Sequence, residues 1–468
     1  MSRTADGPAP LEGIDRALVV GLGASGMAAA SALRAAGISV LVVDDRDDHP
    51  GAAVLADLGA EVALGAVAVD RLDDVDLVVP SPGVPEHAPV LRAAAERDLP
   101  VWSEPELGGR LHPRRLLAVT GTNGKTSVTE LLGAMLRTAG LDARTCGNIG
   151  TPFTEAAAEA PHDAVLVAEL SSFQLRFVHR LRPEVGVLLN LADDHLDWHA
   201  DAAAYGAAKA RIWIAQQPGD WAVANASDAT TLALADRFAP AGRATFDGTG
   251  AVSGIGVGVV GGALVAATPG FGGRLLRVDE LTSDAPHHVA NVAAAAAAAL
   301  LAGVDAGAVA DAARAFHPGA HRLELVAERD GVRFVDDSKA TNVHAAAAAL
   351  RSAPSIVWIA GGLAKGVDLS ALASELTAVR HAVLIGTAAS ELAEVCAGVG
   401  VPAEGADSME EAVAAAVAVA RPGDTVLLAP ACASFDQFSG YAQRGERFAA
   451  AVRALDTDPT SSGRGEPR

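Results

Sequence analysis

The chain has 468 residues, of which 50% are hydrophobic and only 4% aromatic, and its 57 acidic against 36 basic side chains leave a formal charge of −21. Such an acidic excess argues against bulk binding to nucleic acid or to an anionic membrane, although not against a local basic pocket. The length exceeds what one hydrophobic core supports and sets an expectation of about two to four domains, in a composition suited to helices and parallel strands.

Cys146, Cys396 and Cys432 are far apart and odd in number, without metal-ligand spacing, so free thiols and a reducing compartment are expected. The first 17 residues are polar and hold no secretory core, and the alanine runs at 293–299 and 345–349 are too short to span a bilayer. A cytoplasmic protein without membrane insertion follows, with residues 457–468 as a disordered tail.

In chain order, an apolar strand at 17–21 runs into Gly21-Leu22-Gly23-Ala24-Ser25-Gly26, a helix at 27–36, and a second strand at 40–43 that ends in Asp44-Asp45-Arg46. Glycines at this spacing after a strand, with an acid after the next strand, open a dinucleotide-type βαβ unit. Asp44 could read a ribose hydroxyl, and Arg46 a phosphate or a uracil edge. A strand at 77–79 leads to Ser81-Pro82-Gly83-Val84-Pro85, a rigid turn at the strand end where ligands sit in an open parallel sheet, or else a plain Pro-Gly turn. The βαβ rhythm pauses near Trp102, which gives a Rossmann-like first domain over residues 1–104.

The second domain, residues 105–318, opens with a buried strand at 116–119, then Thr120-Gly121-Thr122-Asn123-Gly124-Lys125-Thr126 and a helical pattern at 128–136. Strand, glycine loop and helix make a phosphate-binding loop. Its backbone N–H groups turn on a phosphate, Lys125 reaches the β and γ phosphates, and the Thr126 hydroxyl ligates Mg²⁺. The match is incomplete, because the first glycine of G-x-x-x-x-G-K-[ST] falls on Val119. The bland alternative is a glycine-rich βα turn with a surface lysine. A strand at 165–170 ends in Glu169-Leu170-Ser171-Ser172, and one at 185–189 in Asn190-Leu191-Ala192-Asp193-Asp194-His195. Strands of one parallel sheet present their C-terminal ends together, so Lys125, Thr126, Glu169 and His195 can converge, Glu169 and His195 as metal ligands. Lys209 reads as one lysine of a helix at 202–214. Residues 251–273 alternate in a way that suggests small antiparallel strands, and 286–300 read as an alanine-rich helix holding His287, His288 and Asn291. Phe316-His317-Pro318-Gly319 breaks the chain as a hinge.

The third domain, residues 319–456, carries strands ending in Asp336-Asp337-Ser338-Lys339-Ala340-Thr341-Asn342, in Gly361-Gly362-Leu363-Ala364-Lys365-Gly366, and in Ala429-Pro430-Ala431-Cys432-Ala433-Ser434-Phe435-Asp436-Gln437-Phe438. Strand-then-polar-turn units between helices indicate a further doubly wound domain. The fold expected is therefore α/β with three domains: Rossmann-like, a central parallel P-loop sheet with a small antiparallel element, and a C-terminal Rossmann-like domain.

These motifs together resemble the Mur ligases, ATP-dependent amide-bond ligases of bacterial cell-wall precursor synthesis, over about residues 15–455. The Thr120–Thr126 loop, Glu169-Leu170-Ser171-Ser172-Phe173-Gln174-Leu175 and Asp337-Ser338-Lys339-Ala340-Thr341-Asn342 carry the family likeness. The Gly21–Gly26 loop, Ser81-Pro82-Gly83 and the 431–438 segment favour the D-glutamate-adding branch. The resemblance implies UDP-MurNAc-L-Ala and D-glutamate as substrates, ATP, two Mg²⁺ ions and a monomer. It implies that Ser25, Asp45, Arg46, Ser81 and Gly83 hold the uridine diphosphate end, with Asn148 toward the sugar-diphosphate. Gly121, Thr122, Asn123, Gly124, Lys125, Thr126, Asn291, Arg322 and Asp337 would serve ATP. Thr126, Glu169, His195 and Lys209 would serve metal, Lys209 as a CO₂-derived carbamate, and Lys125, Lys209 and His195 would be the catalytic set. Thr341, Lys365, Ser434 and Tyr441 would form the D-glutamate pocket, with closure at the hinge excluding water. Departures from the family pattern are His288 where Asn is frequent, Tyr441 for Phe and Asp45 for Thr.

Three alternatives stay open at this stage. A ligase of the same superfamily that adds another residue, such as L-alanine, or a folylpolyglutamate synthase, is separated by its amino-acid dependence. An NAD-dependent oxidoreductase built on Gly21–Gly26 and Asp44 leaves the second glycine loop unexplained. A non-catalytic nucleotide-binding regulator would bind ATP without turnover.

Overall fold

The computed structural model describes residues 11–65, 67–192, 198–364 and 366–455. The chain divides into two compact units, Met1–Phe316 and His317–Arg468, so the division falls inside the expected hinge.

The first unit carries two sheets. Strands β1 (Arg16–Val20), β2 (Ser39–Asp44), β3 (Glu61–Leu64) and β4 (Leu77–Pro80) form a parallel sheet in the order β3-β2-β1-β4. Because Ala17 lies opposite both Val40 and Leu77, the ends of β1, β2 and β4 are level. That places the Gly21 loop and the Ser81 turn side by side. The first helix, Ala24–Ala35, starts earlier than its apolar pattern indicates, directly behind Gly23.

The central sheet has nine strands: β5 (Arg115–Thr120), β6 (Ala143–Gly147), β7 (Val165–Glu169), β8 (Val185–Leu188), β9 (Trp221–Asn225), β10 (Gly242–Phe246), β11 (Gly256–Val260), β12 (Ala263–Thr268) and β13 (Phe271–Arg277). Their order is β13-β12-β11-β10-β9-β8-β5-β7-β6. The antiparallel β11–β13 extend this sheet through a parallel β10–β11 pairing instead of standing apart. Strand period 2 is visible in the packing: Leu117, Val119, Val167 and Val187 face one core, and Leu116, Ala118, Leu166 and Ala168 the other. On the first face lie the helices Lys125–Thr138, Pro286–Leu301 and Ala306–Ala315. Ala293 through Ala299 are all fully buried there, and their small side chains let the helix backbone approach the sheet closely. The expected helix at 202–214 ends at Ala210 and tightens into a 3₁₀ turn, Arg211–Trp213.

The second unit holds a six-stranded sheet of β14 (Glu324–Arg329), β15 (Val332–Asp336), β16 (Ile356–Gly361), β17 (Val379–Ile385), β18 (Ala403–Gly405) and β19 (Thr425–Leu428), ordered β14-β15-β19-β16-β17-β18. Only β14 runs antiparallel, at one edge. Val357, Ile359 and Val383 pack on one face, and Trp358, Ala360 and Leu384 on the other. No helix among the described residues is long and apolar enough to cross a membrane.

Candidate functional site

In the central sheet β5 lies between β7 and β8, with Val119 opposite Glu169 and Thr120 opposite Leu188. Three strand ends therefore open at one edge. Gly124 takes φ +84°, the left-handed region that glycine adopts without cost, and hands the chain to the helix Lys125–Thr138. A Cβ at 124 would come within 2.5 Å of Asn291 Oδ1, so the helix Pro286–Leu301 presents Asn291 directly to the loop. The loop is held from the β8 end: Thr122 N–H donates to Asn190 O (3.0 Å) and Asn123 N–H to Asn190 Oδ1 (2.8 Å), while Asn190 Nδ2 donates to Asn123 O (3.1 Å). Lys125 Nζ curls back over the loop onto Gly121 O and Thr122 O, both at 2.9 Å. Thr126 follows as the second, half-buried residue of the helix.

Lys209, 2% exposed, also donates to Gly121 O, at 2.8 Å, and its Nζ lies 4.6 Å from the Tyr205 ring centre. Sequence alone makes it one helical lysine. Two lysines from distant helices thus meet at one loop carbonyl. Glu169 is 2% exposed. Its Oε1 accepts from Asn148 Nδ2 at 2.8 Å, and its buried Oε2 has no hydrogen-bond partner among the described residues. An enclosed carboxylate oxygen with nothing to accept from fits a cation ligand, because leaving it bare is costly. His195 lies outside the described residues.

At the N-terminal sheet, Ser81 Oγ donates to Gly21 O at 3.0 Å, and a Cβ at Gly26 would collide with that same carbonyl. Ser25 and Ser81 are half-buried, and Asp45, Arg46 and Gly83 are exposed around the two turns. Asp44 is not open for a ribose. Its Oδ2 accepts from Leu22 N–H (2.7 Å), and its two oxygens take the Arg46 guanidinium at 2.7 and 2.8 Å. The guanidinium, and the backbone N–H groups after it, hold the Asp44 carboxyl well below the usual carboxylate range although burial opposes them. Arg46 therefore has an intramolecular partner before any phosphate.

In the second unit, Leu323 N–H donates to Asp337 Oδ1 at 3.2 Å. Burial pushes the Asp337 carboxyl up to about 7, against that bond and the charge of Arg322. His321 Nδ1 pairs with Asp336 Oδ2 at 2.7 Å. Thr341 is half-buried after β15, and Ser434 is 2% exposed after β19. Tyr441 begins the helix Tyr441–Ala454, with Lys339 Nζ 3.8 Å from its ring centre. Lys365 lies outside the described residues.

Three contributors were given no role by the motifs. Asn190 pins the phosphate loop, and Tyr205 bonds Thr122 Oγ1 through its hydroxyl at 3.1 Å. Arg444 is fully buried, and its guanidinium joins Ser338 Oγ (3.0 Å), Ser338 O (2.9 Å) and Cys432 O (3.1 Å). Burial pushes it down to about 10. The spacing of Tyr205 and Lys209, one helical turn apart, is the one sequence signal that pairs any of these with the site.

Comparison with known proteins agrees over most of the chain. Residues 15–103 match the family description "Mur ligase MurD-like, N-terminal domain", residues 119–254 "Mur ligase middle domain", and residues 321–432 "Mur ligase, glutamate ligase domain". The chain is 53% identical over 447 residues to "UDP-N-acetylmuramoylalanine--D-glutamate ligase" of Frankia casuarinae, covering 94% of each. It is 43% identical to the protein of that name from Streptomyces coelicolor, covering 93% of this chain and 97% of the relative. Among solved structures it is similar in fold to MurF from Acinetobacter baumannii, with a TM-score of 0.59 at 18% identity, covering 94% of this chain and 90% of that one.

Proposed function

The chain belongs to the Mur ligase family, and on that premise we propose that it joins D-glutamate to UDP-MurNAc-L-Ala at the expense of ATP. The reaction forms ADP, phosphate and UDP-MurNAc-L-Ala-D-Glu in the synthesis of peptidoglycan precursors. Relatives carrying the D-glutamate ligase name at 53% and 43% identity along nearly the whole chain are the observation that carries the reading.

An amide does not form from a carboxylate and an amine in water without activation. The muramoyl carboxylate takes the γ-phosphoryl of ATP and becomes an acyl phosphate. The D-glutamate amine then attacks, and phosphate leaves through a tetrahedral intermediate. Two anions must meet in the first step, so cationic groups at the loop decide the rate. Lys125 turns from the loop carbonyls to the β and γ phosphates, with Gly121, Thr122, Asn123 and Gly124 offering backbone N–H groups and Asn291 flanking them. Thr126, Glu169, His195 and Lys209, the last as a carbamate, would hold two Mg²⁺ ions. Bound magnesium supplies charge neutralisation on the transferring phosphoryl group. Glu169 Oε2, without a hydrogen-bond partner among the described residues, supports this donor set.

Ser25, Asp45, Arg46, Ser81 and Gly83 take the uridine diphosphate end, and Asn148 the sugar-diphosphate. Arg322 and Asp337 act on the ATP side. Thr341, Lys365, Ser434 and Tyr441 receive D-glutamate, where a lysine suits its carboxylates. The domains run 1–104, 105–318 and 319–456, and the protein works as a cytoplasmic monomer. The test is the amino-acid dependence of ADP release with UDP-MurNAc-L-Ala, ATP and Mg²⁺. Turnover rises with D-glutamate and not with L-alanine or L-glutamate. Equal turnover with all three, or none with D-glutamate, removes the reading.

A further inference from the structure

Trp198 and His199 occupy the seam between the N-terminal and central sheets and belong to none of the motifs above. Trp198 Nε1 donates to Val84 O at 3.1 Å, just beyond the Ser81-Pro82-Gly83 turn. His199 is 2% exposed. Its Nε2 lies 2.9 Å from Ser172 Oγ, and its Nδ1 faces Glu86 Oε2 at 3.7 Å. That Glu86 oxygen is buried and has no hydrogen-bond partner among the described residues, while Oε1 accepts from Arg176 at 2.7 Å. The His199 ring stacks on Phe173 (5.8 Å between centres) and meets the Tyr205 ring edge-on at 5.3 Å. Tyr205 in turn bonds Thr122 of the phosphate loop and lies beneath Lys209.

One dipeptide therefore touches, on one side, the turn that carries Ser81 and Gly83 and, on the other, the residues that shape the phosphate loop. We infer that Trp198 and His199 are positioning residues: they set the separation between the turn that holds the nucleotide-sugar and the loop that holds ATP. The inference rests on the ligase reading for the identity of the two ligands, but not for the contacts. Phosphoryl transfer needs the reacting atoms within van der Waals reach, so a turn that drifts by an ångström weakens productive binding of the nucleotide-sugar far more than that of ATP. A group with a merely structural role would lower stability, or both affinities together.

The variant His199→Phe keeps the ring stack and removes both polar contacts. Its KM for UDP-MurNAc-L-Ala is expected to rise roughly tenfold or more and its kcat to fall, with the KM for ATP within about twofold of the parent. Pairing it with Glu86→Ala should cost less than the sum of the two single changes, because they share the His199–Glu86 contact while Ser172 and Arg176 each bond only one of the pair. Amide hydrogen exchange over residues 81–88 should quicken in His199→Phe while that of β1 stays unchanged. Should His199→Phe fail to fold, Trp198→Phe removes the bond to Val84 together with part of the ring packed on Phe173 and His199, and is read the same way. Equal changes in both KM values, or in neither, overturn the inference. If the parent protein shows no D-glutamate-dependent turnover, the ligase reading fails by itself. The exchange experiment then decides, and unchanged exchange at 81–88 rejects the positioning role.

Discussion

Replacing Glu104 by Gln isolates one buried titration. Glu104 is 2% exposed, its Oε1 accepts from Thr154 N–H at 2.5 Å, and its Oε2 has no partner among the described residues. Burial pushes this carboxyl from an ordinary 4.5 up to about 7, against the bonds from Thr154. The native protein therefore keeps a proton that the unfolded chain releases between those two pH values. Stability is full below pH 4.5, falls as pH rises, and levels off above 7. The loss contributed by this one group accumulates to about 3 kcal/mol at pH 8. Glutamine retains the acceptor for Thr154 and places an amide NH₂ where the acid carries its proton, so any cost of that buried donor is the same at every pH. The measurement is the difference in thermal midpoint between Glu104→Gln and the parent from pH 5 to 8.5. The difference should move in favour of the variant by about 4 °C over that range, for a cooperative unit the size of Met1–Phe316. Midpoint curves that run parallel would refute the reasoning, because they would mean that Glu104 is ionised in the native protein at neutral pH.

Three further outcomes concern the reaction. Lys125→Ala should lower kcat by about 10³-fold or more with an unchanged circular dichroism spectrum, and near-normal ADP release would remove the lysine from phosphoryl transfer. Lys209→Ala should be weakly active and partly rescued by a short carboxylic acid that restores the missing oxygens. Full activity without the acid discards the carbamate. Lys365→Ala should raise the KM for D-glutamate by roughly 10- to 100-fold with a smaller effect on kcat, and an unaltered KM counts against its carboxylate role.

The architecture was legible because strand period and loop chemistry are local. Alternating burial along β5 and β7 follows from runs such as Leu116–Val119, and Gly124 stands where a left-handed residue must precede a helix. Boundaries that depend on neighbours were less legible. The glycine-rich segment at 251–273 reads as local hairpins, and nothing in its alternation says that β11 will pair in parallel with β10 and lengthen the central sheet. The helix starting at Ala24 carries no capping side chain, so its first turn was lost among the glycines.

Side chains whose role is fixed by distant contacts leave almost no trace in sequence. Asp44 has the position of a ribose-reading acid, yet Arg46, two residues on, closes both its oxygens. Arg444 lies in a helix between Gln443 and Gly445 and belongs to none of the sequence motifs. Its charge is buried because the loops after β15 and β19 end on it, each with carbonyls that their own strands do not satisfy. A lysine has one nitrogen and could not reach both loops at once, whereas the planar fork of arginine does. The same logic places His199 between two domains: its chemistry is that of any histidine, and only the meeting of Ser172 and Glu86 around it turns that chemistry into a fastening.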